Sequence, residues 1–101
     1  MDAKTLIQHS KARFNLNAQK EQLKEKYQSK LIFADQGGLW TVNPNFLSQL
    51  ASSNEKNVIL LDNYQNPIKI DREELLRKAN NLYLEVMEQW HTEYNELQNK
   101  R

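Results

Sequence analysis

Glu88 and His91 are the residues of this chain whose types and spacing come nearest to a metal site. A spacing of three puts both side chains on one face of a helix. A di-iron carboxylate site needs two such pairs and two further glutamates, so a symmetric dimer would have to supply the second pair. We therefore expect Glu88 to be a solvated helix charge and His91 a surface or interface residue, and we predict no metal or other cofactor.

Residues for nucleophilic or phosphate chemistry are present without the required spacing. No serine stands in a G-x-S-x-G elbow, and Gly37-Gly38 is too short for a phosphate loop and does not lead into a helix. Glu73 and Glu74 suit the first turn of a helix rather than acid–base catalysis. The 101 residues include no cysteine, which excludes disulfides, thiolate zinc sites and thiol nucleophiles. The chain is predicted not to be an enzyme.

The formal net charge of +1 conceals an uneven distribution. Residues 1–33 hold seven basic and three acidic residues, whereas residues 34–101 hold seven basic and ten acidic residues. A basic helix could neutralise phosphates, and its candidate nucleic-acid contacts are Lys20, Lys24 and Lys30. The neighbouring glutamates are typical of a solvated helix face, so nucleic-acid binding is the alternative function rather than the leading one.

The first half of the chain predicts a long helix, a hairpin and a short helix. Roughly the first thirty residues are rich in helix formers and contain no glycine or proline. Residues 31–34 and 39–42 are short apolar runs around a glycine-containing turn, which predicts a β-hairpin. Asn43 and Pro44 then suit the N-cap and first position of a short helix that ends near residues 52–54.

The second half predicts another hairpin and a second long helix. Residues 58–61 and 67–70 read as strands around a polar turn. Asp71, followed three residues later by Glu74, has the spacing of a capping box, in which the second side chain reaches back to the N-cap N–H. Ile70 and Leu75 occupy the positions of a hydrophobic staple, and the helix is expected to run to about residue 98.

This last helix is too long for the strands to cover. About 28 residues would span about 42 Å, whereas strands of four or five residues span roughly 17 Å. Its apolar stripe includes Val86, Trp90, Tyr94 and Leu97, which must meet the other long helix or another chain. Both alternatives remain open from the sequence, and we predict that these four residues form a partner-binding surface.

The run from Val58 to Ile70 feeds a helix that begins Asp71-Arg72-Glu73-Glu74-Leu75-Leu76 and later reads Trp90-His91-Thr92-Glu93-Tyr94. This layout resembles small, mostly uncharacterised proteins of tailed bacteriophages, notably those that infect cyanobacteria. The resemblance covers much of the chain and implies a phage-encoded accessory or structural protein in the host cytoplasm or the virion. It carries over no catalytic or ligand-binding residues.

These observations predict one α+β domain over residues 1–101 in the order α-β-β-α-β-β-α. A small antiparallel sheet of about four strands, in two hairpins, would pack against two long helices and a short one. No apolar run approaches the 18 or so residues of a membrane span, and the N-terminus lacks the apolar region of a signal peptide. The leading function is a non-enzymatic protein–protein interaction module, binding itself or another assembly component.

Overall fold

A computed structural model shows the predicted α+β fold and element order. The structure describes the backbone of residues 3–99 and the side chains of residues 16–99, so Lys4, Lys11 and Arg13, which contribute to the predicted basic charge, have side chains outside the described residues. The elements are α1 (Ala3–Lys30), β1 (Ile32–Asp35), β2 (Gly38–Thr41), α2 (Pro44–Ala51), β3 (Asn57–Leu61), β4 (Pro67–Asp71) and α3 (Arg72–Asn99).

The first hairpin pairs β1 with β2 in antiparallel register, with Phe33 opposite Trp40. Its two-residue turn, Gln36-Gly37, has positive φ at both positions (50° and 83°), as a type I′ turn requires. The next residue, Gly38, makes room for the indole, because a Cβ there would lie 2.6 Å from Trp40 Cζ2. The two glycines that predicted the turn therefore have separate tasks, one in backbone geometry and one in packing.

The second hairpin pairs β3 with β4, with Val58 opposite Ile70. Its loop is closed by the Asp62 N–H, which donates to the Asn66 carbonyl at 3.0 Å. Each hairpin is a two-stranded sheet of its own, and the four expected strands pair only within their hairpins. Two isolated hairpins would be marginal in water, so other contacts have to join them.

The carboxylate of Asp62 joins the hairpins in place of a strand ladder. Asp62 is 5% exposed, and its oxygens accept from the N–H groups of Leu39 (3.2 Å), Tyr64 (3.0 Å) and Asn66 (2.9 Å). The Asn63 N–H donates in turn to the Leu39 carbonyl at 2.8 Å. The donation from Asn66, followed by those from Leu39 and Tyr64, holds the pKa of Asp62 below its ordinary value, against the opposing effect of burial.

A second link between the two hairpins is made by the Gln36 side chain, which pairs with the backbone of Asp71. The Asp71 N–H donates to Gln36 Oε1 at 2.7 Å, and Gln36 Nε2 donates to the Asp71 carbonyl at 3.2 Å. The predicted cap is confirmed, since Asp71 Oδ1 accepts from the Glu74 N–H at 3.2 Å. The Asp71 N–H, however, is taken by Gln36, and Glu74 instead lies 3.5 Å from Lys78. Asp71 still belongs to β4, so its N–H points sideways toward the first hairpin.

Both ends of α2 are satisfied by side chains. Asn43 Oδ1 accepts from the Phe46 N–H at 2.8 Å, which confirms Asn43 as the N-cap with Pro44 in the first turn. At the other end, the guanidinium of Arg72, 8% exposed, donates to the carbonyls of Leu50 (2.9 Å) and Glu55 (2.7 Å). The first residue of α3 thereby fixes the end of α2.

The core consists of two clusters along α3. Around Leu75 lie Trp40, Leu50 and Ile70, so the predicted staple residues share one cluster. The second cluster contains Tyr27, Leu31, Val42, Ala79 and Val86, and Phe33 and Phe46 pack against both clusters.

The helices α1 and α3 run antiparallel within the chain, which is one of the two alternatives that the sequence left open. Tyr27 stacks on Trp90 with ring centroids 6.0 Å apart, and Lys20, nearer the start of α1, lies over Tyr94, nearer the end of α3. The molecule is elongated, 65 × 24 × 20 Å, because the long helices extend past both hairpins. Among the described residues, no helix is long and apolar enough to cross a membrane.

Asp62→Asn is expected to lower stability at neutral pH and to weaken its acid dependence. Because the folded pKa of Asp62 is depressed, its contribution is complete above the ordinary Asp pKa of about 3.9 and is lost as pH falls through the lower folded value. Urea unfolding from about pH 7 to about pH 2.5 measures this. Glu85→Gln, which changes an exposed carboxylate, is the control. Equal acid dependence in wild type and Asp62→Asn would contradict the assignment.

Arg72→Leu is expected to lower the free energy of unfolding by about 1–3 kcal/mol, because two carbonyls lose their donor. Arg77→Leu removes the same charge from an exposed position of the same helix and should change stability by less than about 0.5 kcal/mol. Urea unfolding of both variants makes the comparison. Equal effects would show that the charge of Arg72, rather than its donor geometry, matters.

Candidate functional site

An open groove of about 540 Å³ lies where the end of α1, the open end of the first hairpin, the start of α2 and the middle of α3 meet. We call it the α3 groove. Its lining residues come from all four elements and are Gln28, Ser29, Leu31, Ile32, Thr41, Val42, Asn43, Pro44, Tyr83, Met87 and Trp90.

Local structure fixes the floor and rim of the α3 groove. Leu31 and Val42 are buried neighbours in the floor, where the Val42 N–H donates to the Leu31 carbonyl at 2.8 Å. Trp90 is held in the wall by its stack on Tyr27. The rim residues face solvent, with Ile32 44% and Met87 37% exposed. An occupant would therefore cover apolar surface that water now contacts.

The lining of the α3 groove contains no charged side chain. Its polar side-chain groups are the amides of Gln28 and Asn43, the hydroxyls of Ser29, Thr41 and Tyr83 and the indole N–H of Trp90. Asn43 Oδ1 is already occupied by the α2 cap. A largely apolar surface with a few neutral polar groups is typical of a binding site.

The four predicted partner-binding residues lie at different places. Val86 is 3% exposed and belongs to the core, and Trp90 lines the α3 groove. Tyr94 and Leu97 lie beside α1, where Lys20 Nζ is 5.8 Å from the Tyr94 ring centroid and Leu97 shares a smaller cleft with Leu23. The helix α1 therefore packs along the stripe that the sequence left without a partner, although Tyr94 stays 39% exposed.

Sequence reasoning missed Ile32 and Met87 as candidate site residues. Ile32 was expected only within a strand, and its exposure depends on which face of the hairpin turns outward. Tyr83, Met87 and Trp90 are four and three residues apart, a spacing that marks a second apolar face of α3. That signal was available, but it did not indicate which face α1 would leave open.

The three lysines proposed for nucleic-acid binding lie close to aromatic or acidic groups. Lys20 and Lys30 lie over the rings of Tyr94 and Tyr27, at 5.8 and 4.8 Å from the centroids. Lys24 Nζ is 4.0 Å from Glu21 Oε1. Each side chain nevertheless remains exposed or partly exposed.

Glu93 is the acidic partner of α1 at the helix contact. Its Oε1 accepts from Lys26 Nζ at 2.5 Å and also from the Tyr27 hydroxyl. The bond from Lys26, followed by that from Tyr27, lowers the pKa of Glu93. The hydrogen bond to the same carboxylate raises the pKa of Lys26. It also raises the pKa of Tyr27, and burial of the Tyr27 hydroxyl raises that pKa further.

The Glu88 and His91 pair lies on the exposed surface of α3. His91 Nε2 is 3.4 Å from Asn95 Nδ2. Among the described residues, no three histidine, aspartate or glutamate side chains come together in an arrangement that could hold a metal ion.

No family model matches the chain, and no curated protein or solved structure matches it either. The function is therefore inferred from the α3 groove and its surroundings.

The tyrosine hydroxyl at the helix contact provides a direct test of this geometry. Tyr27 is expected to ionise above the ordinary tyrosine pKa of about 10, and Glu93→Gln should lower that pKa because it removes the carboxylate charge. NMR titration of the Cζ signals follows the four tyrosines separately, with Tyr27→Phe identifying the signal. Glu96→Gln is the control. An unchanged Tyr27 titration in Glu93→Gln would contradict the contact.

Proposed function

We propose that the protein is a non-enzymatic protein–protein interaction module that binds an uncharged, apolar segment of a partner protein in the α3 groove. The observation that carries the proposal is the combination of an apolar floor, partly exposed Ile32 and Met87 at the rim, and a lining without charge. Covering this surface supplies a hydrophobic driving force for binding.

The charge around the α3 groove also supports an uncharged partner segment. A charged side chain entering the groove would lose water without meeting an opposite charge in the lining. The Gln28 amide can donate to and accept from the backbone of such a segment. The Ser29 hydroxyl, which donates to the Lys26 carbonyl, can still accept, and the Thr41 hydroxyl, which accepts from Asn63, can still donate. Neutral hydrogen-bonding groups around an apolar centre match the usual composition of an interface core and its rim.

The setting that we propose, a bacteriophage virion or assembly complex in the host cytoplasm, rests on the resemblance of residues 58–94 alone. The chemistry of the α3 groove does not distinguish a phage partner from any other protein with an apolar segment.

Nucleic-acid binding remains the alternative, and no contact favours it over the α3 groove. The positive charges of Lys20 and Lys30 are beside aromatic rings within the fold, and Lys26 pairs with Glu93. If phosphate contacts were the function, binding should weaken steeply with salt and with Lys20→Glu, Lys24→Glu and Lys30→Glu.

A displayed random-peptide library tests the proposed function. Peptides selected on the wild type should share an uncharged apolar run, and Met87→Lys should weaken their binding by about ten-fold or more, because it places a charge at an apolar rim. Leu84→Lys adds the same charge to a 58% exposed leucine outside the groove lining and is the matched control. Fluorescence anisotropy measures each dissociation constant.

Three outcomes would contradict this function. They are selection of acidic peptides, equal binding by wild type and Met87→Lys, and loss of binding in Leu84→Lys alone. Salt-dependent binding of a fluorescent oligonucleotide that is abolished by the three lysine changes would favour the alternative function.

A further inference from the structure

The outer edge of β3 is a strand edge without a partner among the described residues. Bonds from Asp62 N to Asn66 O and from Arg72 N to Lys56 O lie at the two ends of the β3–β4 ladder. In an antiparallel pair, hydrogen-bonded pairs alternate with pairs whose backbone groups point outward. The register therefore turns the N–H and C=O groups of Asn57, Ile59 and Leu61 away from β4.

The other strand edges of the hairpins are occupied, guarded or shorter. On β2, the Leu39 N–H and C=O are taken by Asp62 and Asn63. On β4, Pro67 has no N–H and Asp71 is paired with Gln36. On β1, the register turns the backbone N–H and C=O groups of only two residues, Ile32 and Ala34, away from β2.

The residues of β3 include none of the features that discourage edge pairing. The strand reads Asn-Val-Ile-Leu-Leu, without charge, proline or glycine. Ile59 is 68% and Leu61 59% exposed, on the same side of the strand. Proteins usually guard such an edge with lysine, proline or a bulge, because an unguarded edge is a template for another strand.

We infer that β3 pairs with β3 of a second copy of this chain, in antiparallel register about a two-fold axis at Ile59. This register overlaps the whole strand and sets Asn57 beside Leu61 of the partner subunit. No like charges meet along it. The flanking pair adds no like-charge contact either, since Lys56 then lies across from Asp62 of the partner subunit.

The product is a four-stranded antiparallel sheet in the order β4-β3-β3-β4 across the axis. Three or more strands are needed for an independently stable sheet. Pairing of the two copies joins their β3–β4 hairpins, which have two strands each, into one sheet of four strands. The α3 groove is lined by other elements, so this dimer does not rest on the proposed function.

Single cysteines test the register, because the native chain has no thiol. In Ile59→Cys the two cysteines form a hydrogen-bonded pair with Cα atoms about 5.5 Å apart, within the range for a disulfide. In Leu61→Cys they would be offset by four residues, about 14 Å, which is beyond that range. Under mild oxidation, Ile59→Cys should form covalent dimer at least about ten-fold faster than Leu61→Cys or the helix control Leu84→Cys.

Sedimentation of the wild type and charged variants gives an independent measurement. Wild type should be a dimer that dissociates on dilution, and Ile59→Lys should raise its dissociation constant by about ten-fold or more, because two lysines would meet at the axis. Leu84→Lys and Met87→Lys should leave it unchanged. The dimer is refuted if wild type stays monomeric at every concentration, if Ile59→Lys has no effect, or if Leu61→Cys or Leu84→Cys cross-links as fast as Ile59→Cys.

The two proposals can fail separately. Loss of the dimer in Ile59→Lys with unchanged peptide binding supports the β3 interface and leaves the groove intact. Loss of peptide binding in Met87→Lys with an unchanged dimer supports the α3 groove as the binding site and leaves the β3 interface intact.

Discussion

The structure depends on one constraint, which is that a two-stranded hairpin cannot bury its own apolar face. Neither hairpin here joins the other into a continuous sheet, so each has to pack on a helix. That helix is α3, whose Leu75, Ala79 and Val86 are buried against both hairpins, α2 and α1. Phe33 and Phe46 pack against both clusters and make the core continuous.

Polar side chains do the remaining work of holding the hairpins in place. Asp62 and Gln36 each bond to backbone groups that a neighbouring strand would otherwise pair. Arg72 bonds to the Leu50 carbonyl at the end of α2 and to the Glu55 carbonyl beyond it. Such bonds fix position more than they add stability, since each replaces a bond to water. The same side chains explain why the strand edges differ. Asp62 and Gln36 occupy backbone groups at the edges of β2 and β4, and none of the three side chains reaches the outer edge of β3.

The long helices show how the same apolar stripe can stabilise the fold and leave a binding surface. Much of the overhang of α3 is covered by α1, through the Tyr27–Trp90 stack and the Glu93 bonds. The cover is incomplete on the side of Met87, where the chain turns from α1 into β1. The α3 groove results from that turn, because Leu31 and Ile32 leave the helix direction just where α3 continues.

The sequence by itself determined the element order, the position of each turn and both predicted caps, because these depend on residues close together in the chain. Asn43-Pro44, Gln36-Gly37 and Asp71 act within a few positions of themselves. Only the tertiary structure decided that α1 packs beside Tyr94 and Leu97, that Gln36 takes the Asp71 N–H in place of Glu74, and that Ile32, Met87 and Ile59 stay exposed. Those outcomes depend on which faces meet across more than thirty residues of chain, and apolar periodicity specifies a face without naming its partner.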